Sequence, residues 1–146
     1  MAIEAMIEIN FARFSLKITD VINVFEKVGW KYINADNKVE YLPIGDDDDY
    51  DWQEEYMSKE ELKTLIDLKQ KNGEKIGINL FYNDGTEGIT LLADDTRQVL
   101  LGLSINRRTL SDSEYTDMGW YIERMLQKLR EEKCQIDYYK IEEYVD

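Results

Sequence analysis

Histidine is absent from this chain, cysteine and proline occur once each, and 18 Lys and Arg stand against 31 Asp and Glu. Each shortage removes a class of function. Without histidine the chain lacks the usual acid–base group of neutral pH, and with it every Ser-His-Asp, Cys-His or His-ligated metal site. With Cys134 alone there is no internal disulfide and nothing that calls for an oxidising compartment. Cys134 has only Lys133 nearby to stabilise a thiolate among Glu131, Glu132 and Asp137, so it reads as a helix-end or core cysteine. The deficit of bases leaves a formal charge of −13, which repels nucleic acid and anionic membranes and attracts a basic partner. Long apolar runs are also missing: no stretch approaches the roughly 18 residues of a membrane span, and the N-terminus has acids where a signal peptide needs positive charge. The expected location is cytoplasmic. Neither a phosphate-cradling Walker sequence nor a dinucleotide-binding GxGxxG occurs.

What is present suffices for one packed core: 43% of the residues are hydrophobic and 12% aromatic in a chain of 146. No repeat, linker or compositional break divides it. Residues 1–5 read as a loose leader or expression remnant ahead of Met6, and residues 6–146 as a single α+β domain. Ile7, Ile9 and Phe11 alternate with polar residues as in a half-buried strand. Val21, Ile22, Phe25 and Val28 then have helical spacing, with Thr19 or Asp20 as the expected N-cap and Gly29 as the stop. "KVEYLPIG" has strand character that must end, or lie at an edge, by Pro43.

Ser58 and Glu61 have capping-box spacing, and Met57 and Leu62 occupy hydrophobic-staple positions, so a helix is predicted over 58–72. Leu62, Leu65, Ile66 and Lys69 share one face, Asp67 is placed to pair with Lys71, and Gly73 closes the helix. Three strands follow between Ile76 and Ile105, the first turn carried by Asn83-Asp84-Gly85 and the last strand a candidate for the sheet centre. A final helix is predicted over Asp117–Glu132 with a stripe of Met118, Tyr121, Ile122, Met125, Leu126 and Leu129, followed by an extended tail. Strands gathered late in the chain favour an α+β fold, mainly an antiparallel sheet with a three-strand meander and about three helices.

The remaining feature is an acidic segment, 46–61, in which nine carboxylates face one lysine. Most such runs are solvated loops. Calcium is the sharpest chemical alternative, but a register from Asp49 through Asp51, Gln53 and Glu60 puts Glu54 where an EF-hand needs glycine. An Asp-x-Asp pair such as Asp47 and Asp49 suits magnesium but arises trivially in a run of aspartates. No catalytic, cofactor or metal residue is assigned. The basic residues Arg107, Arg108, Arg124, Lys128, Arg130 and Lys133 are read as structural rather than as a nucleic-acid groove, because acids intersperse them.

Tyr50, Trp52 and Tyr56 distinguish this segment from a purely solvating loop, since aromatic anchors among steering carboxylates characterise protein interfaces. Trp52 folding into a small core beneath the loop is the competing structural role. The expected partner-binding residues are Asp48, Asp49, Tyr50, Asp51, Trp52, Glu55 and Tyr56. The leading expectation is a non-enzymatic acidic protein-binding module or inhibitor, such as a bacterial antitoxin or toxin-immunity protein masking a basic nuclease. A carboxylate-based divalent-metal enzyme and a regulatory or structural adaptor are the alternatives.

Overall fold

The computed structural model describes residues 2–83 and 86–146. Strand β1 (Ile3–Asn10) leads into helix α1 (Ile18–Lys27), then β2 (Trp30–Lys31), β3 (Val39–Tyr41) and β4 (Gln53–Glu55). Helix α2 (Lys59–Lys71) precedes the meander β5 (Ile76–Tyr82), β6 (Gly88–Ala93) and β7 (Val99–Ile105). Three contiguous helical segments follow, α3 (Met118–Tyr121), a π-helical turn (Ile122–Leu126) and α4 (Gln127–Glu131), and β8 (Tyr138–Val145) closes the chain. All pairings are antiparallel in the strand order β4-β3-β5-β6-β7-β1-β8, with β2 paired beside β5. The fold is a single-domain α+β fold, as the sequence pattern implies.

Alternation sorts the sheet into two faces. Ile7 and Ile9 of β1, Ile78 and Leu80 of β5, Leu91 of β6 and Leu101 of β7 turn inward. They share one core with Val21 and Phe25 of α1, Leu62 and Ile66 of α2, and Trp120, Tyr121, Met125 and Leu129 of the last helical region. The opposite face, with Met6, Glu8, Asn79, Thr90, Leu92 and Leu100, is half-buried. Gly77 is required on it: a Cβ there would sit 2.6 Å from Leu42 Cδ1.

Several local expectations hold and others are corrected. The helix at 58–72 is present with a complete capping box: Ser58 Oγ accepts the Glu61 amide, and the Glu61 carboxylate accepts the Ser58 amide. β3 ends before Pro43, β7 is interior, and the tail is extended. Of the Asn83-Asp84-Gly85 turn, Asp84 and Gly85 lie outside the described residues. β1 begins at Ile3, four residues before the predicted start, with Ile3 opposite Val145 and Ala5 buried.

Neither Thr19 nor Asp20 caps α1. The helix starts at Ile18, whose amide donates to Gln70 Oε1 (2.9 Å) from α2, while the Thr19 hydroxyl donates to Asp67 (2.7 Å). That contact and Lys63 one turn back (3.2 Å) hold the Asp67 carboxylate, so it does not pair with Lys71. The last helix contains the unpredicted π turn, where the Trp30 indole N–H donates to the Arg124 carbonyl (2.9 Å).

The capping box makes one stability prediction. Ser58→Ala removes the acceptor for the Glu61 amide, and urea unfolding is expected to show a loss of about 1 kcal/mol with an unchanged m-value.

Candidate functional site

The acidic segment is built on one buried carboxylate and one buried ammonium. Asp46 is only 5% exposed. One of its carboxylate oxygens accepts the amides of Asp49 (3.0 Å) and Tyr50 (3.1 Å), and the other accepts that of Asp51 (2.7 Å). A short polar side chain closing on the backbone just ahead of it is the usual way to stabilise a tight loop. Here it holds Tyr50 in the left-handed region at φ 54°.

Lys69, on the inner face of α2, is fully buried. Its Nζ donates to the carbonyls of Pro43 (2.5 Å) and Asp46 (2.8 Å) and lies 3.5 Å from the Glu74 carboxylate. Glu74 in turn accepts the Gly45 amide (2.7 Å), and Asp47 accepts that of Lys75 (2.9 Å). Thus the loop is pinned to α2 and to the start of β5. Burial alone raises the Asp46 pKa, but three backbone donors and the Lys69 charge outweigh it and hold the carboxyl below its ordinary value.

This arrangement turns the other acids outward. Asp47, Asp48, Asp49, Asp51, Glu54, Glu55, Glu60 and Glu61 are all exposed. β4 lies inside the acidic segment and forms one end of the sheet, so Glu54 and Glu55 stand on an ordered strand. Its register places Glu54 opposite Glu40, and Asn34 Nδ2 bridges them by donating to Glu40 (2.8 Å) and Glu54 (2.5 Å). The chain of contacts continues inward: Asn79 Nδ2 donates to Glu40 (2.9 Å), and the Thr90 hydroxyl donates to Asn79 (2.8 Å). On the other face of β4, Glu55 accepts the Tyr41 hydroxyl; burial first, then this carboxylate, push the Tyr41 pKa up to about 12 and keep it protonated.

Of the predicted binding residues, Asp48, Asp49, Tyr50, Asp51, Glu55 and Tyr56 are exposed along this loop and edge strand. Tyr56 is 73% exposed with Lys38 Nζ 5.2 Å from its ring centroid, and Tyr50 is 46% exposed. Trp52 is half-buried but outside the central core cluster. Among the described residues, no group of three or more Asp, Glu or Cys side chains converges as metal ligands.

Elsewhere the candidate groups have structural duties. Arg107 Nη1 donates to the Glu114 carbonyl (2.9 Å) and the Thr116 hydroxyl (2.8 Å), tying down the loop after β7. Arg108 and Arg124 lie over the Trp120 ring, at 5.1 and 4.7 Å from its centroid. Burial raises the Cys134 thiol to about 11, which leaves it protonated and unreactive at neutral pH. No helix among the described residues is long and apolar enough to cross a membrane.

Sequence reasoning missed Lys69, Glu74, Asn34, Glu40 and Asn79 as parts of the site. Lys69 on the apolar face of its helix was the one available signal.

Two measurements test the loop architecture. Lys69→Met orphans the Pro43 and Asp46 carbonyls, and urea unfolding is expected to show a loss of roughly 3 kcal/mol. Because the folded pKa of Asp46 is depressed, its stabilisation is present above the unfolded value of about 3.8 and is lost as pH falls through the lower folded value. Hydrogen exchange at pH 3.8 is therefore expected to find the Asp49, Tyr50 and Asp51 amides still protected in the wild type and unprotected in Asp46→Ala, which has no acceptor oxygen. Comparison with protein-family models, curated proteins and solved structures finds no match for this chain.

Proposed function

We propose that this chain is a non-enzymatic, cytoplasmic acidic module that binds and masks a basic surface of another protein, in the manner of a bacterial antitoxin or toxin-immunity protein. The observation that carries the reading is the division of labour within the acidic segment. Asp46 and Lys69 fix the loop from within, while Asp48, Asp49 and Asp51 on the loop, Glu54 and Glu55 on the edge strand and the rings of Tyr50 and Tyr56 are left exposed side by side at one end of the sheet. A merely solvating loop has no need of a buried lysine beneath it. Fixed carboxylates lose less entropy when a partner docks, and their field steers a basic protein at long range. A nuclease groove, shaped to receive phosphates, is a surface of that charge.

The test starts with capture from native cells and identification of the bound protein. The captured protein is then assayed against the wild type and against D48N/D49N/D51N/E55Q, which removes charge but retains shape. The association rate is expected to fall by about tenfold or more at low salt, with a flatter salt dependence. Tyr56→Ala and Tyr50→Ala are expected to act on the dissociation rate, at least one of them by about 30-fold or more. Unchanged kinetics in all of these folded variants would remove the acidic edge from the interface and with it this function.

A further inference from the structure

The two ends of the sheet are built differently. β4 is three residues long and charged, which blunts an edge. β8 is eight residues long, contains no proline, and runs in unbroken register along β1 from Tyr138 to Val145. Among the described residues no strand covers its outer side. Tyr138, Tyr139, Tyr144 and Val145 are exposed on it.

The hydrogen-bond phase of β8 follows from its end. The Asp146 amide donates to the Ala2 carbonyl (2.8 Å), and bonded pairs alternate along an antiparallel ladder. Even-numbered residues of β8 therefore bond to β1, and Tyr139, Ile141, Glu143 and Val145 direct their N–H and C=O groups outward. The side chains of Tyr138, Lys140, Glu142 and Tyr144 share the half-buried face of the sheet with Glu8.

We infer that β8 pairs antiparallel with β8 of a second copy of this chain about a two-fold axis at Ile141, joining two sheets into one. Of the registers centred on residues 140, 141 and 142, this one alone is self-complementary in charge. It sets Lys140 opposite Glu142 of the second copy, and Glu142 opposite its Lys140. It also sets Tyr138 opposite Tyr144, with Ile141 meeting its own counterpart on the inner face. Moving the axis one residue sets Lys140 against Lys140 or Glu142 against Glu142, and like charges directly opposite are destabilising. The Lys140–Glu142 pairs fall at the closer, non-hydrogen-bonded positions of the new ladder. Making them exchanges long or exposed contacts within one copy: Lys140 Nζ lies 4.0 Å from Glu8 and 5.7 Å from the Tyr138 ring centroid, and Glu142 accepts the Tyr144 hydroxyl.

Net charge does not oppose this contact strongly. β8 lies six strand spacings from β4, about 29 Å, so the acidic loops stand several Debye lengths apart in the dimer. An apolar groove of about 570 Å³ runs beside the edge, with Leu126, Leu129, Cys134, Ile136 and Tyr139 in its wall, and widens the surface beyond the strand itself.

Sedimentation velocity on the full chain, from about 1 to 100 µM in moderate salt, tests the inference. The wild type is expected to shift from monomer to dimer over this range. Lys140→Glu and Glu142→Lys each set like charges face to face and are expected to raise the dissociation constant at least about tenfold. An equimolar mixture of the two single variants restores every opposite-charge pair and is expected to form a heterodimer, and the K140E/E142K double variant to recover the homodimer. Tyr139→Pro removes an outward amide without touching the β1 ladder and is expected to be monomeric; it serves if a charge reversal beside Glu8 unfolds the edge. A wild type that stays monomeric throughout, single variants that dimerise as the wild type does, or a mixture that stays monomeric would overturn the proposal.

Discussion

The ammonium of Lys69 is the hub through which helix, loop and sheet are joined at the acidic end of the molecule. A charge held without water needs several partners, and Lys69 has two carbonyls of the loop and the carboxylate of Glu74. Those partners come from the exit of β3 and the entrance to β5, so satisfying one side chain fixes the path of two connections. Asp46 extends the same logic by one layer: its carbonyl serves Lys69 while its carboxylate collects the amides of Asp49, Tyr50 and Asp51. A loop of concentrated negative charge would otherwise expand under its own repulsion.

This arrangement explains how a strand can form where the sequence is almost wholly hydrophilic. β4 contributes no apolar side chain, yet it pairs with β3 because the loop before it is already set and because Asn34 sits between Glu40 and Glu54 as a shared donor. The polar ladder then passes through Asn79 to Thr90, so the acidic edge is tied laterally into the central strands. At the far end β8 is held by its ladder to β1, across which Tyr138 donates to Glu8, while Tyr144 donates to Glu142 on β8 itself. The sheet thus runs from a carboxylate-rich end to a tyrosine-rich one, which suits the two ends to different neighbours.

Legibility followed the range of the interactions. The start of α2 could be read because Met57, Ser58, Glu61 and Leu62 encode it within six residues, and the meander because alternation marks each strand by itself. The start of α1 could not, since its leading amide is satisfied by Gln70, 52 residues away. The π turn escaped notice because the group it bonds is the indole of Trp30, on a strand before the meander. In the acidic segment the residue types and the exposure of most of them were foreseeable. The burial of Asp46 was not, because four successive aspartates look alike until Lys69 selects one of them.

The position of β1 has a consequence for how the molecule is assembled. Its two neighbours, β7 and β8, come from the second half of the chain, and Ile3 finds its partner only at Val145. The meander and the capped helix can organise from contacts close in sequence, whereas β1 has to wait for strands roughly a hundred residues away or more. Inserting β1 closes the longest loop in the fold and carries its largest entropic barrier. Until that moment Ile7 and Ile9 are uncovered and the meander has an open flank, so the partly folded chain is at its most adhesive before β1 is seated.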